Sequence, residues 1–200
     1  MAGHSTWANI RHRMRALHRE RAPGSVPARV SAAESHSVRY EGYGPGDCAL
    51  LVECVPEDRE RTAAALRERF ERHGGHLGAS GSVAYLFNKV GLLTFAPGTA
   101  AEPVARCAWQ AGAEDVILSA DGTLEVLTDP PELSSVRGRL ARAGHVPHDA
   151  LVTWRSAARV ELQGAAGTQL LALIEDLLSL TEVRSVHTNA EVAGELLAGV

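Results

Sequence analysis

The chain has 200 residues, 45% of them hydrophobic and 22% charged, and a net charge of -4. That composition fits a globular protein with one or two modest cores and excludes fibrous and low-complexity classes. The start is polar and basic with no apolar run behind it, and no stretch approaches the roughly 20 apolar residues of a spanning helix, so a cytoplasmic protein with no membrane partner is expected.

Charge is divided unevenly. Arg11, Arg13, Arg15, Arg19 and Arg21 stand against Glu20 alone at the N-terminus, so the remainder is more acidic than the whole. A basic arm on an acidic body directs any polyanion contact to the arm; the alternative is a short helix with a solvated arginine face. From Ala22 to Ser37 the sequence is broken by Pro23, Gly24 and Pro27 without an apolar series, which predicts a linker.

Arg39-Tyr40-Glu41-Gly42-Tyr43-Gly44-Pro45-Gly46 follows. Two readings stand open for it. Tyr40 and Tyr43 could offer stacking faces to unpaired bases or a peptide, with Arg39 on a phosphate, or the tyrosines pack over a sheet edge while the glycines turn into the next strand. Cys48 to Val55 is a nearly continuous apolar run, as in a buried strand. Glu57 to His73 reads as a helix, with acidic residues in its first turn, basic ones in its last, and Gly74-Gly75 as its stop. Val83 to Phe87 and Gly91 to Phe95 read as strands joined by an Asn88-Lys89 turn.

Glu102 to Ala111 reads as a helix ended by Gly112, and the strands Asp115 to Ser119 and Thr123 to Leu127 flank Asp121-Gly122, a type I′ hairpin signal. Asp129-Pro130-Pro131-Glu132 offers an N-cap, a proline at the first helical position and a carboxylate that reaches back, for a helix running to about Ala143 and stopped by Gly144. Ala150 to Trp154 and Val160 to Leu162 read as strands, Thr168 to Leu180 as a helix and Val183 to Thr188 as a last strand. The fold class expected is α+β, with two ferredoxin-like α/β modules, the second inserted in the first, preceded by a short helical basic arm. The expected domains are an arm and linker at 1–37, a first module at 38–97 with 163–200, and an inserted module at 98–162.

No catalytic set emerges. His73 and His76 bracket a glycine turn without a metal-ligand pattern, and Cys48, Cys54 and Cys107 have no metal spacing, an odd count that suits a reducing compartment. Gly78-Ala79-Ser80-Gly81 lacks the lysine and helix of a phosphate-cradling loop, which leaves a tight turn into the Val83 strand. No enzyme activity, cofactor or metal is expected.

Four separated segments in one order carry a resemblance: Met1 to Arg13, Arg39 to Gly46, Gly74 to Ala84, and Val183-Arg184-Ser185-Val186-His187-Thr188-Asn189-Ala190-Glu191. Together they resemble the YebC/PmpR family of transcriptional regulators and translation factors. The chain departs from the family at Thr6, where a lysine is usual, and after Arg21, where most of the family's helical first domain is replaced by the linker. The resemblance implies a helical domain plus two α/β domains and a contact with nucleic acid, either DNA or ribosomal RNA on the ribosome. It carries over His4, Ser5, Trp7, Asn9, Arg11, His12 and Arg13; Arg15, Arg39 and Tyr43 complete the candidate set. Trp7 has a second reading as the anchor of the first helix on the body. The competing function is a shortened paralogue that acts as a protein-interaction module without binding nucleic acid.

Overall fold

The computed structural model describes residues 37–119 and 121–192. The expected arm and nearly all of the linker lie outside the described residues. The described chain is α+β and divides into two compact units, residues 37–87 with 156–192, and residues 88–155.

The first unit opens with a hairpin, β1 (Val38–Tyr43) and β2 (Ala49–Cys54), paired antiparallel from Val38 opposite Cys54 to Tyr43 opposite Ala49. Helix α1 (Arg59–Arg72) and the short β3 (His76–Leu77) follow. The Asp58 carboxylate caps α1 by accepting the N–H groups of Glu60 and Arg61 at 2.9 and 3.1 Å, which satisfies two donors that the first turn leaves without helical partners. The chain returns to this unit with β8 (Val160–Leu162), α4 (Gly164–Leu178), β9 (Val183–Thr188) and β10 (Ala190–Val192). The strand order is β3-β1-β2-β9, and β8 and β10 form a parallel pair of their own. One face of the sheet buries Leu50, Val52 and Cys54 of β2 and Val183 and Val186 of β9. Against them lie Leu66 and Phe70 of α1 and Leu170, Leu173 and Leu177 of α4. Each fully buried side chain of this size contributes roughly 1.5–3 kcal/mol of transfer free energy.

The second unit comprises β4 (Phe87–Phe95), α2 (Ala101–Gln110), β5 (Asp115–Leu118), β6 (Leu124–Thr128), α3 (Leu133–Arg142) and β7 (Asp149–Ser156), with strand order β5-β6-β4-β7. It has its own core of Leu93, Phe95, Val104, Ala108, Leu124, Val126, Val136 and Leu140. Helices α1, α2 and α3 each stop at a glycine in the left-handed region, Gly74, Gly112 and Gly144, as their sequences predict.

Four local expectations are corrected. The 39–46 segment does more than turn, since β1 is a full six-residue strand. Residues 84–86 form a 3-10 turn, not a strand, and Asn88 and Lys89 lie inside the nine-residue β4. With Val83 to Phe87 not a strand and Gly91 to Phe95 found within β4 of the second unit, the first unit has a hairpin, a helix and a short strand where a β-α-β-β start was expected. Of Asp121-Gly122 only Gly122 has positive φ, at 82°, and the Ser119 N–H donates to the Thr123 carbonyl at 2.8 Å. The reversal is therefore one residue longer than a type I′ turn, with its glycine at the left-handed position that closes such a loop. Asp129 makes no side-chain cap, because Pro130–Glu132 winds as a 3-10 turn before α3 begins.

Candidate functional site

Tyr40 packs on the first unit's core, so strand alternation turns Arg39, Glu41 and Tyr43 to the opposite face of the sheet. The register continues that face across Glu53 and Leu51 of β2 to Ser185 and His187 of β9. Three of the sequence segments singled out above, 39–46, 74–84 and 183–191, thus meet on one sheet.

Glu41 organises the meeting. The residue is 5% exposed, and its carboxylate accepts three backbone N–H bonds, from Gly81 at 2.8 Å on one oxygen and from Val83 and Ala84 at 2.8 and 2.7 Å on the other. Burial alone would raise the pKa of this carboxyl. The three N–H bonds, with the positive charge of Arg39, outweigh burial and hold it below the ordinary carboxylate value. The Glu41 carbonyl accepts the Gly78 N–H at 2.8 Å, and the Tyr43 hydroxyl donates to the Ser82 carbonyl at 2.9 Å. The 78–84 loop is therefore fixed at five points by one strand.

Gly42 lies between these two residues because nothing larger fits: a Cβ there would sit 2.7 Å from both the His76 carbonyl oxygen and the Phe70 ring. Tyr43 also stacks on His76, with ring centroids 5.1 Å apart and planes inclined by 27°. Tyr43 lies between Ala49 of β2 and His76 of β3, inside the sheet and not over its edge, and its ring and hydroxyl are engaged within the first unit. Arg39 is exposed at the start of β1, opposite Glu53 in register. His4, Ser5, Trp7, Asn9, Arg11, His12, Arg13 and Arg15 lie outside the described residues.

Beside this clamp is a polar cluster. The Ser185 hydroxyl donates to Glu53 Oε2 at 2.7 Å and lies 2.9 Å from His187 Nε2, which is 3.4 Å from the same carboxylate oxygen. With the serine proton committed to Glu53, the second contact is a hydrogen bond only if His187 Nε2 carries a proton. A nucleophilic triad needs the imidazole between serine and carboxylate, whereas here the carboxylate meets the hydroxyl directly. The cluster ties β2 to β9, and its order of contacts is not that of a triad. Nearby, the Asn189 side-chain oxygen accepts the buried Ala49 N–H at 2.8 Å and closes the same pair of strands.

Other reactive groups are also committed. Burial pushes the Cys48 thiol up to about 11 and the Cys54 thiol up to about 12, the latter helped by the charges of Glu182 and Glu53. His73 Nε2 is 3.1 Å from the Asp176 carboxylate, which also binds Arg69 and Arg72 at 3.2 and 2.9 Å and so joins α1 to α4. Among the described residues no group of three or more His, Cys, Asp or Glu side chains could hold a metal ion, and no helix is long and apolar enough to cross a membrane.

Sequence reasoning did not single out Glu41, Glu53, Ser185, His187 or Asn189 individually. Their one sequence signal was membership of segments 39–46 and 183–191; Glu53 had none.

Comparison with known proteins adds the context. Residues 35–190 match the family model described as the TACO1/YebC second and third domain. A protein of Halorhodospira halophila named "Probable transcriptional regulatory protein" is 42% identical over 182 residues, covering 90% of this chain and 74% of that one. "Probable transcriptional regulatory protein MCA1220" of Methylococcus capsulatus is 35% identical over 245 aligned positions, 99% of each chain. An alignment longer than this chain means that the relative carries segments this chain lacks. The crystal structure of a conserved hypothetical protein from Aquifex aeolicus, Aq1575, superposes with a TM-score of 0.69 at 33% identity, covering 78% of this chain and 65% of that one.

Proposed function

Because the chain belongs to the TACO1/YebC family, we propose that it is a non-enzymatic regulator of transcription or translation that works by binding nucleic acid. The observation that carries this reading is the concentration of five arginines between Arg11 and Arg21 in a chain that is otherwise acidic. Such an arm gains affinity by releasing counterions from a phosphate backbone, and an acidic body limits the contact to it. The names of the relatives point the same way, toward transcriptional regulation. His4, Ser5, Trp7, Asn9 and His12 accompany the arginines in this reading, and Arg39 adds a cation on β1. Tyr43 has the weakest claim, since its hydroxyl and ring are both engaged within the first unit.

In the same reading the 88–155 unit is a ferredoxin-like module inserted in the other one. Its element order, β4-α2-β5-β6-α3-β7, and its strand order, β5-β6-β4-β7, support that description.

The test is the salt dependence of binding. Replacing Arg11, Arg13 and Arg15 together by Ala should lower the slope of log affinity against log salt by roughly 2 to 3 units. An unchanged slope would move the contact elsewhere. Sequencing the nucleic acid that co-purifies at low salt separates genomic DNA from ribosomal RNA, and recovery of neither would favour a protein-interaction module.

A further inference from the structure

One large side chain next to the clamped loop is turned to solvent. Tyr85 is 75% exposed, and it forms no hydrogen bond or ring contact among the described residues. Its neighbours are held firmly. Val83 is fully buried and Phe87 is 4% exposed, so the ring is carried on a short 3-10 turn between two apolar anchors. Glu41 accepts the N–H groups of Gly81, Val83 and Ala84, and the Leu86 N–H donates to the Val83 carbonyl at 2.9 Å. The same three N–H bonds hold the Glu41 carboxyl below the ordinary carboxylate value, so the clamp is in its charged form at neutral pH.

We propose that Tyr85 is a stacking platform for an unpaired nucleobase, projected from a loop whose shape Glu41 fixes in advance. The inference rests on the nucleic-acid reading above and adds to it a contact outside the basic arm. Exposing a large ring costs hydration free energy, and holding it on a fixed turn reduces the entropy lost when a partner binds. The surroundings select the partner. Within the first unit the exposed residues nearest Tyr85 along the chain are Gly81, Ser80 and Ala79, small and without apolar bulk. A protein interface needs a contiguous patch of hundreds of Å², whereas a single ring in a polar setting matches the area of one base. Stacking accepts any base, because every base has a π-face, but it needs that base unpaired.

The experiment uses the full-length chain and three labelled probes, an oligouridine and an oligothymidine of about 15 nucleotides and a duplex of equal length. Tyr85→Ala should weaken binding of the single strands by about 5- to 150-fold, with the duplex affinity and the salt slope unchanged. Tyr85→Phe should retain affinity within about twofold, because the ring and not the hydroxyl makes the stack. Preference for uridine over thymidine probes would indicate RNA, and the reverse DNA. Equal single-strand binding by wild type and Tyr85→Ala overturns this inference alone, as does a loss with Tyr85→Phe equal to that with Tyr85→Ala. Absence of binding of any probe by the wild-type chain overturns the nucleic-acid reading together with it. A melting temperature unchanged in Tyr85→Ala excludes unfolding as the cause of a loss.

Discussion

The Glu41 carboxylate on β1 and the Val83 amide, 42 positions later in the chain, meet at 2.8 Å. That bond, with its companions to Gly81 and Ala84, lets an irregular loop lie against the sheet without leaving buried donors unpaired. A strand would have satisfied those amides with carbonyls. A carboxylate satisfies them from one point, so the backbone is free to turn and to present Tyr85.

Glu41→Gln should destabilise the protein by about 2–4 kcal/mol at neutral pH, since an amide offers one acceptor and sets its NH2 against an N–H donor. The loss should depend on pH. Glu41 has a folded pKa below its ordinary value of 4.5, so its stabilisation is full above that value and fades as pH falls through the folded pKa. Urea unfolding of both proteins should therefore show a gap at pH 7 that narrows below about pH 4. A gap that does not change with pH would mean that Glu41 acts through packing.

The sequence announced most of the regular structure. Val183–Thr188 is found as expected, and α1 runs Arg59–Arg72 within the expected Glu57 to His73, because charged termini and a glycine stop mark both ends. The β1 strand was hidden for a physical reason. Its alternation is present, with Tyr40 on the core and Arg39, Glu41 and Tyr43 opposite, but a buried glutamate and a glycine admitted by close contact with Phe70 both read as loop residues. The polar start of β4 misled in the same way, since Asn88 and Lys89 are exposed strand positions that look like a turn. Glu41 itself was not legible as a clamp, because its partners lie some forty residues away and offer backbone atoms, which carry no sequence signal.

Asn189→Ala removes the acceptor for the buried Ala49 N–H, whose partner at 2.8 Å is the Asn189 side chain. A buried donor left unpaired costs about 1–3 kcal/mol. Chemical denaturation should show a loss in this range, and amide exchange should accelerate at Ala49 while α2 and α3 keep their protection. Unchanged exchange at Ala49 would show that water replaces the side chain without cost.

At pH 7.5 in native buffer, N-ethylmaleimide should label at most one thiol, that of Cys107, the one cysteine of the three that is not fully buried. Cys48 and Cys54 are inaccessible, and burial holds their pKa values at about 11 and about 12, so almost none of either is thiolate at that pH. Mass spectrometry should find up to one adduct on the folded protein and three after denaturation. Native labelling of Cys48 or Cys54 would reveal opening of the first unit's core.

Gly122→Val tests how local the second unit's hairpin is. Gly122 sits at φ 82°, a conformation that a β-branched residue adopts poorly, and a Cβ there would lie 3.5 Å from Pro97 Cβ, an ordinary contact. The strain is therefore in the backbone and not in crowding, and it should cost about 1 kcal/mol or more. β5 and β6 are joined through this reversal, and β5 lies at the edge of its sheet, paired with β6 alone. Exchange should accelerate first at the Ser119 amide, which donates to the Thr123 carbonyl, and at Ile117, the next position of β5 whose amide faces β6. The other unit has a separate core, built from Leu66, Phe70, Leu170 and Leu173, so its amides in α1 and α4 should stay protected. Equal acceleration in α1, α4 and the hairpin would show that both units unfold as one cooperative body.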